Sequence, residues 1–141
     1  MSKRPTNAQR EEVSKRAEYL CEYCLSQEKF SNSTFEIEHI IALSKDGKTV
    51  LANLAFACSG CNKYKSHRIS AFDTETKTEV SFYNPRKDVW SEHFAWNEDF
   101  TVIIGLTPIG RTTVEVLKLN RQGLLNQREL LGKFGKHPPN L

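Results

Sequence analysis

Glu38 and His39 are adjacent in a segment that otherwise has the pattern of a β-strand. The segment reads FEIEHII, and its apolar residues Phe35, Ile37 and Ile41 alternate as one face of a strand would. His39 is in register with that apolar face, and Glu38 is on the opposite face. A carboxylate can bind a metal ion and an imidazole can take a proton near neutral pH, so the pair could support metal-assisted acid–base chemistry. A half-exposed histidine that bonds a neighbouring carbonyl is the alternative, structural interpretation.

The cysteines form two Cys-x-x-Cys pairs, CEYC with Cys21 and Cys24 and CSGC with Cys58 and Cys61. In an intracellular protein two such pairs predict a tetrahedral zinc site, because four thiolates at about 2.3 Å suit Zn²⁺. Buried free thiols are one alternative. A redox pair is another, although two redox pairs would be redundant.

Length and composition predict one domain that contacts no membrane. The chain has 141 residues, 38% of them hydrophobic, which is enough for an ordinary core. The net charge of +3 does not by itself imply a polyanionic partner. No segment approaches the roughly 18 consecutive apolar residues of a membrane span, and the first residues contain no apolar signal core. We therefore expect a cytoplasmic protein.

Local patterns predict the elements that position the reactive residues. A helix is expected within residues 5–20, where Thr6 and Gln9 have the spacing of a capping box. Two strand-like runs, FEIEHII and VLANLAFA, flank a loop with an Asp46-Gly47 turn signal, so a hairpin is expected. A short helix from about Asn62 to Ile69 follows the second cysteine pair.

The second half of the chain has its own strand and helix signals. Two β-type runs, TEVSFYNPR and TVIIGLTP, predict a small antiparallel sheet. Thr107 and Pro108 have the types preferred for the N-cap and the first position of a helix. A further helix is expected in LLNQRELLGKF.

Taken together, EIEHI, LANLAFAC and CSGCNKYK resemble the HNH endonuclease family in its HNN variant, over about residues 18–70. The later part of the chain also looks like an extension that accompanies one subgroup of bacterial HNH proteins. The resemblance implies an α+β fold with a ββα-metal (His-Me finger) core, a four-cysteine zinc site, an N-terminal helix, and a small antiparallel sheet with helices after the core. It implies one domain over residues 1–141, with the extension at about 71–135.

The resemblance also implies roles for single residues. His39, Asn53 and Asn62 would form the catalytic site, with His39 as general base and Asn53 orienting the loop and the histidine. Glu38 and Asn62 would each offer an oxygen to a catalytic Mg²⁺ or Mn²⁺, and Cys21, Cys24, Cys58 and Cys61 would bind structural zinc. An Asx-turn at Asn53 and a helix N-cap at Asn62 are structural alternatives that can coexist with these roles. The loop departs from the family pattern, with Ala42 after Ile41 and a single glycine, Gly47.

The basic segment NKYKSHR, with no acidic residue, indicates where a nucleic acid would bind. Lys63, Lys65 and Arg68 are expected to contact the phosphate backbone of DNA, and a merely solvated face is the alternative. His67 is a weaker candidate ligand, since it is five residues beyond Asn62 and about 140° further round a helix.

These residues predict a metal-dependent DNA endonuclease of low sequence specificity. A zinc-stabilised module that binds nucleic acid without cutting it is the first alternative. A structural or partner-binding zinc protein is the second. The adjacent glutamate and histidine argue against both, because binding alone needs no base beside a metal ligand.

Overall fold

The computed structural model describes residues 4–140 and has an α+β fold, as the sequence predicts. Within the described residues the fold comprises two compact units: the first contains 4–69 and 84–88, and the second contains 70–83 and 89–140. The single domain expected over the whole chain stays a prediction. The elements, in chain order, are α1 (Asn7–Arg16), β1 (Glu36–His39), β2 (Leu54–Ala57), α2 (Ser59–Lys65), β3 (Ser70–Asp73), β4 (Thr78–Ser81), α3 (Trp90–His93), β5 (Phe94–Trp96), β6 (Ile103–Gly105), α4 (Pro108–Val116) and α5 (Gln122–Lys133).

Helix α1 begins at the predicted capping box. Thr6 Oγ1 accepts a bond from the Gln9 backbone N–H at 3.1 Å, and Gln9 Oε1 accepts one from the Thr6 N–H at 2.8 Å. Val13 is the buried residue of this helix. At the other end, Arg16 Nη2 donates to the Leu54 carbonyl oxygen at 2.6 Å. The helix is thereby fastened to the start of β2.

Strands β1 and β2 form the predicted antiparallel hairpin, with His39 opposite Leu54. Every residue of β2 is buried. The buried positions of β1 differ from the expected ones, since Glu38 is buried, His39 is half-buried and Ile41 is 39% exposed. The strand ends at His39, so the alternation of faces no longer applies to Ile41.

The loop between β1 and β2 turns tightly at Asp46 and Gly47, where the sequence predicts a turn. Asp46 has a φ of 67°, in the left-handed region. A Cβ at Gly47 would lie 1.7 Å from the carbonyl oxygen of Ile41, so only glycine fits against that backbone. This close approach folds the loop back toward the end of β1.

Helix α2 begins three residues earlier than the predicted Asn62. Cys58 is its N-cap, and the second cysteine pair supplies its first turn. The helix ends at Lys65, because Ser66 has a φ of 52° that a right-handed helix cannot accommodate. His67 and Arg68 therefore follow the helix rather than belong to it.

The second unit contains two separate two-stranded sheets, where the sequence predicted one small sheet. Strand β3 pairs with β4, and β5 pairs with β6. Helix α4 begins as predicted, with Thr107 as N-cap and Pro108 in the first turn. The rings of Trp90 and Phe94 pack at 5.1 Å between centroids.

The segment Asn84–Asp88 returns to the first unit. Its Arg86 guanidinium forms an ion pair with the Glu22 carboxylate, which lies inside the first cysteine pair. Burial lowers the pKa of Arg86 to about 10. Within residues 4–140, no helix combines the length and the apolar content that crossing a membrane requires.

Candidate active site and metal centre

The four cysteine sulfurs form a buried cluster. Their Sγ atoms all lie within 4.8 Å of one another, and Cys24 Sγ is 3.7 Å from Cys58 Sγ. Thiolates around a tetrahedral Zn²⁺ at about 2.3 Å are separated by roughly 3.8 Å. The cluster comes from both predicted cysteine pairs and could hold a metal ion such as zinc.

Each cysteine pair turns in the same way. The Cys24 backbone N–H donates to Cys21 Sγ, and the Cys61 N–H donates to Cys58 Sγ, both at 3.5 Å. Hydrogen bonds with the other thiols lower the pKa of Cys58, and the bond with Cys21 contributes most. Burial, in contrast, raises the pKa of Cys21. A thiolate in such a cluster is an effective metal ligand, because binding requires the deprotonated sulfur.

Glu38 lies in a buried polar network next to this cluster. Its Oε1 accepts a hydrogen bond from the hydroxyl of Tyr23, a residue inside the first cysteine pair. Its Oε2 lies 3.5 Å from Lys65 Nζ and, within residues 4–140, has no hydrogen-bond partner. Burial raises the pKa of Glu38, and the nearby ammonium opposes that rise. Apart from this ion pair, Oε2 accepts no hydrogen bond from a described residue, so it has capacity for a further ligand.

His39 is half-buried at the end of β1. Its Nε2 lies 2.9 Å from the hydroxyl oxygen of Thr49, which is in the loop between the strands. Burial, with a smaller contribution from the charge of Lys65, lowers the pKa of His39. The imidazole is therefore neutral near pH 7 and can accept a proton.

Asn53 bonds to the backbone of the loop. Its Oδ1 accepts from the Ile41 N–H, and its Nδ2 donates to the carbonyl oxygens of Ile41 and Lys48, all at 2.9 Å. Its own carbonyl oxygen accepts from the Ile40 N–H at 2.9 Å. These bonds fix both ends of the loop that follows His39.

Asn62 lies within α2 and is not its N-cap, so that structural alternative is wrong. Its Nδ2 donates to Glu36 Oε2 at 2.6 Å. Asn62 lines a surface cleft of about 320 Å³ together with Glu38, His39 and His67. The imidazole of His39, the carboxylate of Glu38 and the amide of Asn62 thus line one cleft. The first two belong to the hairpin, and the third belongs to α2.

The three predicted nucleic-acid contacts separate into two environments. Lys63 and Arg68 are exposed. Lys65 is 1% exposed, so its expected place on a solvent-facing basic surface is corrected. Lys65 is buried because its ammonium points inward to Glu38 and to the carbonyl oxygens of His39 and Ile40.

Sequence reasoning missed three residues at the site. Tyr23 bonds Glu38, Glu36 bonds Asn62, and Thr49 bonds His39. A tyrosine inside CEYC and a second glutamate two residues before Glu38 were visible signals, since residues two apart on a strand share a face. No pattern marks Thr49, because its contact depends on the fold of the loop.

Residues 21–68 match the family model for HNH endonuclease. The matched region contains both cysteine pairs, the hairpin and α2, which confirms the predicted resemblance there. No curated protein and no solved structure matches the chain. The family match indicates nuclease activity in general and a nucleic acid as substrate.

Proposed function

We propose, from the match of residues 21–68 to the HNH endonuclease family model, that the protein is a metal-dependent DNA endonuclease with His39 as its general base. The observation that carries the proposal is the shared cleft of His39, Glu38 and Asn62. Hydrolysis of a phosphodiester needs a base for the attacking water and positive charge near the oxygens that become negative. The cleft contains residue types suited to both tasks.

His39 would take the proton of the attacking water. Its lowered pKa keeps the imidazole neutral, and its Nε2 is engaged by Thr49, so the water would lie at Nδ1. General-base catalysis contributes about 10²–10⁴-fold in rate. Asn53 would act on His39 indirectly, by holding the loop that carries Thr49.

The oxygens of the cleft fit a hard divalent cation such as Mg²⁺ or Mn²⁺. Glu38 Oε2 is buried without a hydrogen-bond partner among the described residues, which is the observation that supports the fit. Glu38 and Asn62 would hold the ion, with the exposed Glu36 beside them. A bound ion would supply Lewis-acid stabilisation of the negative charge that develops on the phosphate and the leaving oxygen.

The cysteine cluster would hold a structural zinc ion. Its four ligands are all thiols and are all buried, which leaves no position for substrate and separates it from the oxygen-lined cleft. Both pairs adjoin elements of the cleft, since Tyr23 bonds Glu38 and Cys58 caps α2. Zinc would therefore fix the elements that carry the reactive residues.

DNA would contact two exposed cations, Lys63 and Arg68, which are next in the chain to the cleft residues Asn62 and His67. Such contacts go to phosphate oxygens and carry no base information, which agrees with the low sequence specificity expected. The cytoplasmic location also stays a prediction.

Metal titrations of plasmid nicking test the proposal. Supercoiled plasmid is incubated with wild type, His39→Ala and Glu38→Gln over a range of Mg²⁺ and Mn²⁺ concentrations. We expect His39→Ala to lose about 10²–10⁴-fold of the rate at every metal concentration, since no ion replaces a base. Glu38→Gln should need more metal and be partly rescued by it, because a ligand is weakened.

His93→Gln is the matched control, because His93 lies in the second unit and bonds Thr107. It should cut at a rate close to that of wild type. A His39→Ala protein that cuts normally at saturating metal would refute the role of His39. Tight DNA binding by a wild type that cuts neither DNA nor RNA would favour the silent binding module.

A further inference from the structure

Lys65 is a buried charge that the proposed chemistry does not use. Its Nζ lies 2.9 Å from the carbonyl oxygen of Ile40, 3.3 Å from that of His39 and 3.5 Å from Glu38 Oε2. A buried ammonium needs such oxygens to offset its lost hydration. All three partners belong to consecutive residues at the end of β1.

These contacts join the two elements that form the cleft. Lys65 and Asn62 are three residues apart in α2 and so lie on the same side of that helix. Glu38 and His39 end β1, whose ladder bonds tie it to β2. The ammonium of Lys65 therefore connects the base and the carboxylate on the strand to the helix that carries Asn62.

Tyr23 extends this network to the cysteine cluster. Its hydroxyl donates to Glu38 Oε1, and Tyr23 lies between Cys21 and Cys24 in the sequence. Tyr23 is fully buried, as is Lys65, so neither side chain reaches solvent. Glu38 is thus held from one side by the cysteine pair and from the other by α2.

We propose that Lys65 is a positioning residue, whose buried ammonium holds the end of β1 against α2 so that His39 and Asn62 face the same cleft. The inference rests on the proposed function, because it assigns Lys65 a role in the rate of that reaction. Two other roles make different predictions. A phosphate contact would change DNA affinity, and a purely structural role would change stability without changing the rate of the folded protein.

Lys65→Met tests the proposal, because methionine keeps a long unbranched side chain and removes the charge and the donors. With zinc content and the folded fraction matched to wild type, we expect kcat for nicking to fall about 10–100-fold, as expected when reacting groups are misplaced. The Kd for a short duplex and its salt dependence should stay within about 2-fold of wild type, because a buried lysine neutralises no phosphate.

Lys63→Met is the matched control on the same helix. Lys63 is exposed, and this variant should bind the duplex more weakly, with a salt slope lower by about one. A Lys65→Met protein that loses affinity and salt slope in the same way would overturn the proposal in favour of a phosphate contact. A folded Lys65→Met protein with unchanged kcat would overturn it in favour of a purely structural role.

Conservative variants keep the proposal testable if Lys65→Met does not fold. Lys65→Arg keeps the charge, and Lys65→Gln keeps an uncharged NH2 group with two N–H donors, so kcat should rank arginine above glutamine at equal affinity. If none of the three variants folds with zinc while Lys63→Met does, Lys65 is structural and the proposal is overturned.

Histidine NMR separates this inference from the proposed function. Loss of the nearby charge alone would shift the His39 ring resonances, so the readout is the proximity of the His39 ring to the Thr49 side chain, measured by nuclear Overhauser effects. In Lys65→Met this effect should weaken, whereas that between His93 and Thr107 in the second unit should not. If wild type cuts no nucleic acid but the His39–Thr49 effect weakens in this way, the proposed function fails and the positioning of His39 by Lys65 stands. If wild type cuts but neither kcat nor the His39–Thr49 effect changes, the inference fails and the proposed function stands.

Discussion

Asn53 in the first unit and Asn120 in the second make the same pair of bonds to the backbone of another residue. Asn53 bonds the N–H and the carbonyl oxygen of Ile41, both at 2.9 Å. Asn120 bonds the N–H of Ile103 at 2.7 Å and its carbonyl oxygen at 2.8 Å. In both units, a side-chain amide therefore forms the two backbone hydrogen bonds that a neighbouring strand would otherwise form.

The surroundings of the two amides differ. The loop that Asn53 bonds also contains Thr49, which forms a hydrogen bond with the half-buried imidazole of His39 at the cleft. Asn120 instead contacts Arg128, whose buried guanidinium donates to the Asn120 side-chain oxygen and to the carbonyl oxygens of Thr101 and Leu119. A buried polar network is thus evidence of a reactive site only where it leaves a group available for chemistry.

The buried carboxylates of the two units also differ in their surroundings. In the first unit the buried carboxylate of Glu38, at the wall of the cleft, has an oxygen whose contact with a described charged group is the ion pair with Lys65 at 3.5 Å, and this oxygen accepts no hydrogen bond from any described residue. In the second unit the buried Asp73 is paired with Arg111 at 3.1 Å and also accepts bonds from Thr76. We therefore expect perturbations of the first unit to affect activity as well as stability, and those of the second to affect stability alone.

The largest expected effect is that of removing the metal ion that we propose for the cysteine cluster. Cys58→Ser, or a strong chelator, should unfold the first unit, because folding and metal binding are coupled when four buried thiols meet around an ion. Zinc analysis should find one ion per chain of wild type. Amide hydrogen exchange should then show lost protection in β2 and much smaller losses in β6.

Two results would contradict this expected difference between the units. If folded wild type contains much less than one zinc per chain, the cluster is not a zinc site. If protection in β6 disappears together with that in β2, the two units do not differ in their dependence on metal.

Asn53→Ala and Asn120→Ala should destabilise the protein by similar amounts, about 1–3 kcal/mol, because each leaves backbone groups without partners. Only Asn53→Ala should also slow nicking, by about 10-fold or more at equal folded fraction, since its loop carries Thr49. Urea unfolding and nicking assays on both variants give the two quantities. Equal loss of activity in the pair would contradict the division between the units.

Thr49→Val should have a smaller effect, because it removes one hydroxyl and keeps the shape of the side chain. With its Nε2 partner lost, His39 is held less firmly, and we expect kcat to fall about 3- to 10-fold with unchanged DNA affinity. Thr49→Ser keeps the hydroxyl and should restore most of the rate. If serine and valine are equally slow, the hydrogen bond to His39 is not what matters at this position.

The smallest expected effect is an acid-dependent loss of stability in the second unit. Hydrogen bonds from Arg111, and then from Thr76, hold the pKa of Asp73 well below its ordinary value. Its stabilising contribution is therefore full above the unfolded pKa of about 3.9 and is lost as the pH falls through the folded pKa. The melting temperature of Asp73→Asn should depend less on pH below about pH 4 than that of wild type.

Glu75→Gln is the control for this measurement. Glu75 also contacts Arg111, at 2.9 Å, but its carboxylate is exposed and such pairs contribute little. It should leave the acid dependence nearly unchanged. An acid dependence that survives in Asp73→Asn would assign it to another carboxylate.

Short-range patterns in the sequence were enough to predict several features of the fold and the site. The spacing of two cysteine pairs predicts a four-cysteine cluster that could hold a metal ion, a capping box begins α1, and Thr107 with Pro108 begins α4. Each of these depends on residues a few positions apart or on ligand types that are specific to one chemistry. The hairpin between the cysteine pairs and the HNH resemblance, predicted over about residues 18–70 and matched by the family model at 21–68, follow from patterns of the same kind.

Only the tertiary structure decided which way the polar residues of this site face. The sequence places Lys65 between Lys63 and Arg68 in a basic run, yet its ammonium is buried against Glu38. Tyr23, Glu36 and Thr49 are separated from their partners at the site by 15, 26 and 10 positions in the chain, respectively. A residue pattern fixes the type and spacing of donors, whereas the direction of a long side chain depends on which oxygens the folded chain brings within its reach.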